Sequence, residues 1–272
     1  ISEGRLTCVY HGWQYDRTGA CVHIPALPPD SSIPRKARAV VYQAEEAHGM
    51  VWVAMEEPAQ PIPPWPEYLV GGQESKLFFI GRYEWKTSAG RAAENGLDFS
   101  HFNHSHRGYL ELADGPVIKP HSVSVSDYRL EYTYEDGDSR REYIVHSPFT
   151  VFIRKVGLPR QSDSRQTWDR DTTPVDGTTV LAQFNSPIDE TRTAVFAAIG
   201  RNHALDMDDR QFAGGDWFDT VLEQDRRVVE SQRPERIPTD LREELHLKVP
   251  DASGIVYRRL LGRIDSISRF MP

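Results

Sequence analysis

The chain has 272 residues, of which 39% are hydrophobic and 26% charged, with a formal net charge of −8. That balance supports a packed core, excludes a disordered chain and argues against a nucleic-acid partner, which needs a basic face. No apolar run reaches the roughly 18 residues of a membrane span, and no apolar stretch of a secretory signal follows Ile1.

The two cysteines, Cys8 and Cys21, are too few for a disulfide framework, so a reducing cytoplasm is the expected location. The sequence begins without Met, and residues 5–10 already read as a strand running into a motif. The front of the first domain is therefore expected upstream of Ile1. Short β patterns follow, with a turn at Asp16–Gly19 and a strand over Val51–Ala54 after Gly49. Pro58, Pro61, Pro63, Pro64 and Pro66 exclude helix and central strand, so 58–66 reads as an extended linker. It divides a first domain, 1–57, from a second, 67–272. Beyond it come a strand at Phe78–Trp85 and a helix over 90–106. Four β-rich stretches follow: Ser122–Tyr134, Tyr143–Lys155, Thr178–Ser186 and Thr193–Arg201. Asp-Gly pairs at 136–137 and 176–177 supply turns. Trp217, Val221, Val228 and Val229 recur among charges in one long helix over 208–232, ended by Arg233-Pro234. The fold class is α+β: an antiparallel sheet with a long helix late in the chain.

Two clusters carry chemistry. Cys8-Val9-Tyr10-His11 places a thiol and an imidazole at C-x-x-H spacing in a turn, a donor pair for a soft or borderline metal. Residues 91–106 hold His101, His104 and His106. Two imidazoles and one carboxylate on a single face suit Fe(II) that must keep positions open for oxygen. Asp98 and His101 are i and i+3 and share a helix face. His101 and His106 lie about 140° apart on an ideal helix, so the helix must bend or end between them, with 103–105 the candidate place. His104 is the easier partner by spacing. Glu223, Asp225 and Glu230 on the late helix compete for the carboxylate position, and periodicity does not choose. A histidine cluster without metal is the plainer alternative.

The run from Cys8 to Asp16, with Gly19, Cys21 and Ile24-Pro25, resembles the second cluster-binding loop of Rieske oxygenases. Asn95-Gly96-Leu97-Asp98-Phe99-Ser100-His101, with His106 five residues on, resembles that family's D-x-x-H-x-x-x-x-H motif. The resemblance implies that Cys8 and His11 bind a [2Fe–2S] cluster whose C-x-H partner lies upstream, and that Cys21 has no ligand role. It implies a mononuclear Fe(II) on His101 and His106, with His104 a non-ligand and Asn95 close to the iron. The spacing E-x-D-x-x-V-V-E-x-Q over 223–232 is similar to the late helix of the family's demethylase-like monooxygenases, which makes Asp225 the third ligand. Asp98 becomes a bridge, in a homotrimer, between an iron histidine and a cluster histidine of the next subunit, with His11 a candidate for the latter.

The implied fold is the C-terminal part of an all-β Rieske domain followed by a helix-grip catalytic domain. The implied activity is that of a terminal oxygenase. It would take O2, and electrons from a reductase or ferredoxin, to hydroxylate or oxidatively demethylate a small aromatic substrate. Ring cis-dihydroxylation is the alternative within the family. A zinc hydrolase and a non-catalytic helix-grip binding protein are the rivals outside it. Phe149, Phe152, Phe184, Asn185 and Phe196 are expected around the substrate, with Asn185 as a polar contact. Arg154, Lys155 and Arg201 are candidates to pair with a substrate carboxylate.

Overall fold

The computed structural model describes residues 1, 3–58, 60–64, 74–137, 139–146, 148–157 and 177–268, with side chains to 264. Contacts divide the chain into two compact units, Ile1–Ile62 and Pro63–Pro272. Ala59, Trp65 and Pro66 of the proline stretch and Asp176 of the second Asp-Gly pair lie outside the described residues.

The first unit consists of short antiparallel strands. β1 (Leu6–Thr7), β2 (Gln14–Tyr15) and β3 (Cys21–His23) form one small sheet, and β4 (Gln43–Ala47) pairs with β5 (Met50–Ala54). The expected strand at residues 5–10 contracts to β1, because the chain turns at Tyr10–His11.

The second unit is built on a seven-stranded antiparallel sheet. Its strands are β6 (Lys76–Trp85), β7 (Val123–Ser126), β8 (Arg129–Asp136), β9 (Ser139–His146), β10 (Thr150–Gly157), β11 (Thr178–Asp189) and β12 (Arg192–Arg201). They lie in the order β6-β12-β11-β10-β9-β8-β7. β8 alternates strictly, burying Leu130, Tyr132, Tyr134 and Asp136, the period-2 signature of a strand with one covered face. Ser122–Tyr134 is two strands, folded back at Asp127, whose φ is +51°. Tyr143–Lys155 also spans two strands, β9 ending at His146 and β10 beginning at Thr150.

The helices pack on this sheet and on one another. α1 (Ala89–Leu97) is capped by Ser88, whose Oγ accepts from Arg91 N at 3.4 Å. It contacts β10, β11 and β12. Gly96 permits that approach, since a Cβ there would stand 2.7 Å from Gln183 Oε1. The expected continuous helix over 90–106 is instead α1 and a single turn, α2 (Phe102–Ser105). One break falls at 98–101, ahead of His101, and α2 then ends at Ser105 with His106 as its C-cap, within the stretch expected from the spacing. Asp98 Oδ1 accepts from Ser100 N at 3.0 Å and Oδ2 from His101 N at 3.3 Å, which draws both amides out of the helical pattern.

The predicted helix over 208–232 is likewise two: α3 (Asp209–Phe212) and α4 (Trp217–Ser231). Gly214 and Gly215, at φ +77° and +66°, separate them in a conformation that other residues rarely adopt. α5 (Ala252–Ser268), which the sequence reading did not anticipate, packs against α1, β7 and β8. Leu97, Phe99, Leu130, Tyr132, Tyr257 and Leu260 join these elements in one core; Trp85, Val195, Phe218 and Leu222 form a second beneath α4. Among the described residues no helix is long and apolar enough to cross a membrane.

Candidate metal centre

His101 and His106 flank the single turn of α2 as its N-cap and C-cap, and both rings reach the same point of α4. His101 Nε2 and His106 Nε2 are 3.1 Å apart, and Asp225 Oδ1 lies 3.3 Å from the first and 3.1 Å from the second. Among the described residues this is the one group of three or more His, Cys, Asp or Glu side chains whose donor atoms converge within 4.8 Å. His104 is exposed and takes no part.

Asp225 reaches the group because of its helical phase. Phe218, Val221, Leu222, Asp225 and Val229 make up the buried stripe of α4, so the carboxylate stands where an apolar residue belongs. Its rivals face elsewhere. Glu223 pairs with Arg226 and Arg227 at 2.7 and 3.0 Å, and Glu230 accepts from Lys86 N at 2.8 Å. The stripe was a signal available in the sequence.

Each imidazole is oriented through its other nitrogen. His101 Nδ1 faces Asp98 Oδ2 at 2.7 Å, and His106 Nδ1 faces Gln224 Oε1 at 2.9 Å. Both partners are acceptors, so both Nδ1 atoms carry protons and both Nε2 atoms face the carboxylate. With neutral rings, two lone pairs and an anionic oxygen would meet at one point, and a positive charge must hold them. In the metal-free protein that charge is a proton on His101. Burial opposes it, but the carboxylates of Asp225 and Asp98 outweigh burial and raise the His101 pKa to about 9. Burial also opposes charge on Asp225, yet the hydrogen bond from His101 chiefly lowers its pKa to about 2. Asp98 is likewise held below the ordinary carboxylate range, its burial outweighed by His101 and Ser100.

The same donors fit a metal cation. Bonds of about 2.1 Å set at about 90–110° put donor atoms about 3.0–3.4 Å apart, the range of all three separations here. Two imidazoles and one carboxylate on one face are the donor set of an iron that keeps open positions. Asn95 Nδ2 donates to Asp225 Oδ1 at 3.2 Å and orients the carboxylate. Gln224 was not singled out from the sequence. Its place beside Asp225, one residue off the buried stripe, was the available clue.

A cavity of about 130 Å³ lies between the sheet and the start of α4. Phe102, Tyr143, Lys155, Leu181, Trp217 and Phe218 are among its walls. The phenylalanines expected there do not line it. Ile153 and Leu181 face the cavity, so Phe152 and Phe184, of opposite strand parity, face the other side of the sheet. Phe149 packs against the core, and Phe196 stands beneath the Arg82 guanidinium. Asn185 is buried and bonded within the sheet: Nδ2 donates to Phe149 O at 3.0 Å, and Oδ1 accepts from Gln183 Nε2 at 2.9 Å. Arg154 pairs with Glu142 at 2.8 Å. Arg201, fully buried, donates to Ala204 O and to Met207 O and bonds Asp209. Of the three candidate cations only Lys155 reaches the cavity.

In the first unit Cys8 and His11 are both exposed on one turn, closed by bonds from Cys8 N to Trp13 O (2.8 Å) and Gly12 N to Cys8 O (2.9 Å). A thiol and an imidazole on one turn are donor types that match half of the two-Cys, two-His set of a Rieske cluster. Cys21-Val22-His23 also has C-x-H spacing, which the sequence reading passed over. Cys21 is buried in β3 with Sγ 3.5 Å from His23 O, so it is placed as a core residue.

Comparison with known proteins agrees with this architecture. The family model of the Rieske [2Fe-2S] domain matches residues 1–43, and that of the vanillate O-demethylase oxygenase C-terminal domain matches residues 85–264. The chain is 30% identical to methylxanthine N1-demethylase NdmA of Pseudomonas putida, over 96% of this chain and 71% of that protein. It is also 30% identical to methylxanthine N3-demethylase NdmB of the same organism, over 86% of this chain and 64% of that protein. A solved structure of an NdmA mutant with caffeine superposes with a TM-score of 0.78 at 28% identity, covering 95% of this chain and 71% of that one. Dicamba monooxygenase bound to 3,6-dichlorosalicylic acid shares the fold, with a TM-score of 0.76 at 15% identity over 98% of this chain and 82% of that one.

A terminal oxygenase subunit is defined by a Rieske domain ahead of a mononuclear-iron domain. This chain belongs to that family, the Rieske oxygenases, in the branch with the vanillate O-demethylase type of catalytic domain. It is an oxygenase that takes O2 and a small organic substrate, with electrons from a reductase or ferredoxin, and its family carries both a [2Fe–2S] cluster and a mononuclear iron.

Proposed function

We propose that the second unit hydroxylates or oxidatively demethylates a small aromatic compound at a ferrous ion held by His101, His106 and Asp225. The supporting observation is the convergence of those three donors at 3.1–3.3 Å, with both distal ring nitrogens already bonded to acceptors. Iron bound there would supply oxygen activation: with two electrons and two protons, one atom of O2 enters the substrate and the other leaves as water.

The chain's own groups do the rest. Asp98 and Gln224 keep each Nε2 unprotonated toward the metal, and Asn95 keeps Asp225 Oδ1 on it. Phe102, Trp217 and Phe218 wall the cavity with apolar surface that displaces water and receives an aromatic ring. Asp98 is 29% exposed, so it can also meet a group from outside its own subunit. That fits a homotrimer in which Asp98 links His101 to a cluster histidine of a neighbour, His11 being one candidate. Cys8 and His11 would hold their half of the cluster. We place the protein in the cytoplasm, whose reducing conditions suit two free thiols. The domain limits of this reading are 1–57, 58–66 and 67–272.

The test is anaerobic Fe(II) titration of the metal-depleted protein, followed by oxygen uptake with a reductase and an aromatic substrate under 18O2. One Fe(II) per chain, lost in Asp225→Ala, and one labelled oxygen atom per turnover are expected, carried by the aromatic product on hydroxylation or by the released formaldehyde on demethylation. Two labelled atoms would mean ring cis-dihydroxylation. Iron binding that survives Asp225→Ala, or Zn(II) supporting hydrolysis where Fe(II) supports no oxygen uptake, overturns the proposal.

A further inference from the structure

The carbonyl of Leu97 marks the point where α1 stops. In a continued helix it would accept from His101 N, four residues on. The Asp98 carboxylate has taken that amide instead: His101 N donates to Asp98 Oδ2 at 3.3 Å, and Ser100 N to Oδ1 at 3.0 Å. Leu97 is fully buried, so its carbonyl cannot turn to water and needs another donor. Tyr132 of β8, itself buried, supplies one: its Oη donates to Leu97 O.

This exchange fixes the peptide group between Leu97 and Asp98 at both ends. Tyr132 Oη holds its oxygen, and its N–H donates to Asn95 O at 3.2 Å. The orientation of that peptide sets where the Asp98 side chain leaves the backbone, and Asp98 Oδ2 is the acceptor for His101 Nδ1 at 2.7 Å. The following residue is anchored to the same strands. The Phe99 ring packs on Tyr132, Tyr134 and Tyr143, with centroids 6.0, 4.1 and 5.7 Å away.

Two backbone arrangements compete for residues 98–101. In the helical one, Leu97 O takes back His101 N, and His101 and His106 stand about 140° apart, too far round to reach one metal. In the observed one, Asp98 is extended at φ −92° and ψ 144°, and the two histidines flank α2 and meet at Asp225. With the Tyr132 hydroxyl, Leu97 O is satisfied in the observed arrangement. Without it, a buried acceptor is orphaned there, and the helical arrangement would satisfy it.

We infer that Tyr132 is a positioning residue of the oxygenase: by bonding Leu97 O, its hydroxyl stabilises the break that sets Asp98 and His101 for the metal. It acts through Leu97 and Asp98, not on the metal. This rests on reading His101, His106 and Asp225 as the iron donors.

Anaerobic Fe(II) competition on the metal-depleted protein tests it, counting the site that Asp225→Ala removes. Asp98 is loosened rather than deleted. Tyr132→Phe should therefore weaken that site about tenfold, the lower end of the loss typical for the outer partner of a ligating imidazole, with the stoichiometry kept at one Fe(II) per chain. Tyr132→4-aminophenylalanine keeps an N–H donor and should return the affinity to within about threefold of native. Tyr257→Phe is the control for lost stability: it deletes another buried hydroxyl, which donates to Pro148 O at 2.7 Å. Its Fe(II) affinity should stay within about twofold of native. If Tyr132→Phe does not fold, Tyr132→4-fluorophenylalanine fills the space of the hydroxyl without a donor and should give the same weakening. Affinity within about twofold of native in a folded variant lacking the donor, equal weakening in Tyr257→Phe, or no recovery with 4-aminophenylalanine overturns the inference. If the native protein binds no Fe(II) at an Asp225-dependent site, the metal centre is overturned and the inference with it.

Discussion

Replacing Gln224 by leucine isolates how a side chain that never touches the metal controls the centre. Gln224 Oε1 is 2.9 Å from His106 Nδ1, and the His106 side chain is only 1% exposed. The N–H therefore cannot turn to water when its acceptor is removed. A buried donor left unmade costs about 1–3 kcal/mol. Loss of the outer partner of a ligating imidazole typically weakens metal binding by about 10–100-fold, about 1.4–2.7 kcal/mol. The two ranges overlap, so Gln224→Leu should weaken Fe(II) binding by one to two orders of magnitude, about 10–100-fold, with the fold intact. Gln224→Glu restores an acceptor and should bind at least as tightly as the native protein. The assay is anaerobic competition of metal-depleted protein against a chromophoric chelator, with circular dichroism as the folding control. A folded Gln224→Leu variant within about twofold of native affinity would refute the reasoning, because the ring would then need no outer partner.

Asp98→Asn should retain mononuclear iron yet lose most turnover in the electron-supplied enzyme; native steady-state rates with stoichiometric iron would exclude a role beyond holding His101. His104→Ala should leave iron content and oxygen uptake unchanged, whereas His106→Ala should abolish both, as metal analysis and an oxygen electrode would report. In the metal-free protein the His101 pKa is raised from 6.5 to about 9. Its contribution to stability is therefore fully present below about pH 6.5 and is lost as pH rises through about 9. Thermal melts of metal-depleted protein should accordingly fall between those limits, and Asp225→Asn should flatten that fall; a melting temperature independent of pH there would contradict the assignment. Iron and proton compete for the same Nε2, so apparent Fe(II) affinity should rise with pH up to about 9.

The chain order of the centre was legible because it is carried by local chemistry. Asp98, His101 and His106 fall within one short segment, and the C-x-x-H loop identifies its family within a handful of residues. The phase of Asp225 on the apolar stripe of α4 was legible too, although the three carboxylates were weighed without it. The alternating strand β8 follows from period-2 burial, and the Asp136-Gly137 turn from its residue types.

Other features depended on where distant residues met. The break after α1 occurs at Asp98 because its carboxylate captures two backbone amides, a competition that helix periodicity does not register. The cavity walls come from β9–β12, α2 and the helices after β12, elements scattered over more than a hundred residues; which parity of each strand faces inward is set by packing against α1 and α4. Arg201 reads in sequence as an available cation, yet it is committed to the carbonyls of 204 and 207. The amino-acid sequence alone determined the family and, through that resemblance, pointed to His101, His106 and Asp225, since the motifs are written in short-range spacing. Only the tertiary structure decided that Gln224 orients His106 and that Asn185 is bonded to Phe149 O and Gln183. A hydrogen bond exists only when donor and acceptor lie within about 3 Å, and for these residues that proximity arises from the packing of helix on sheet.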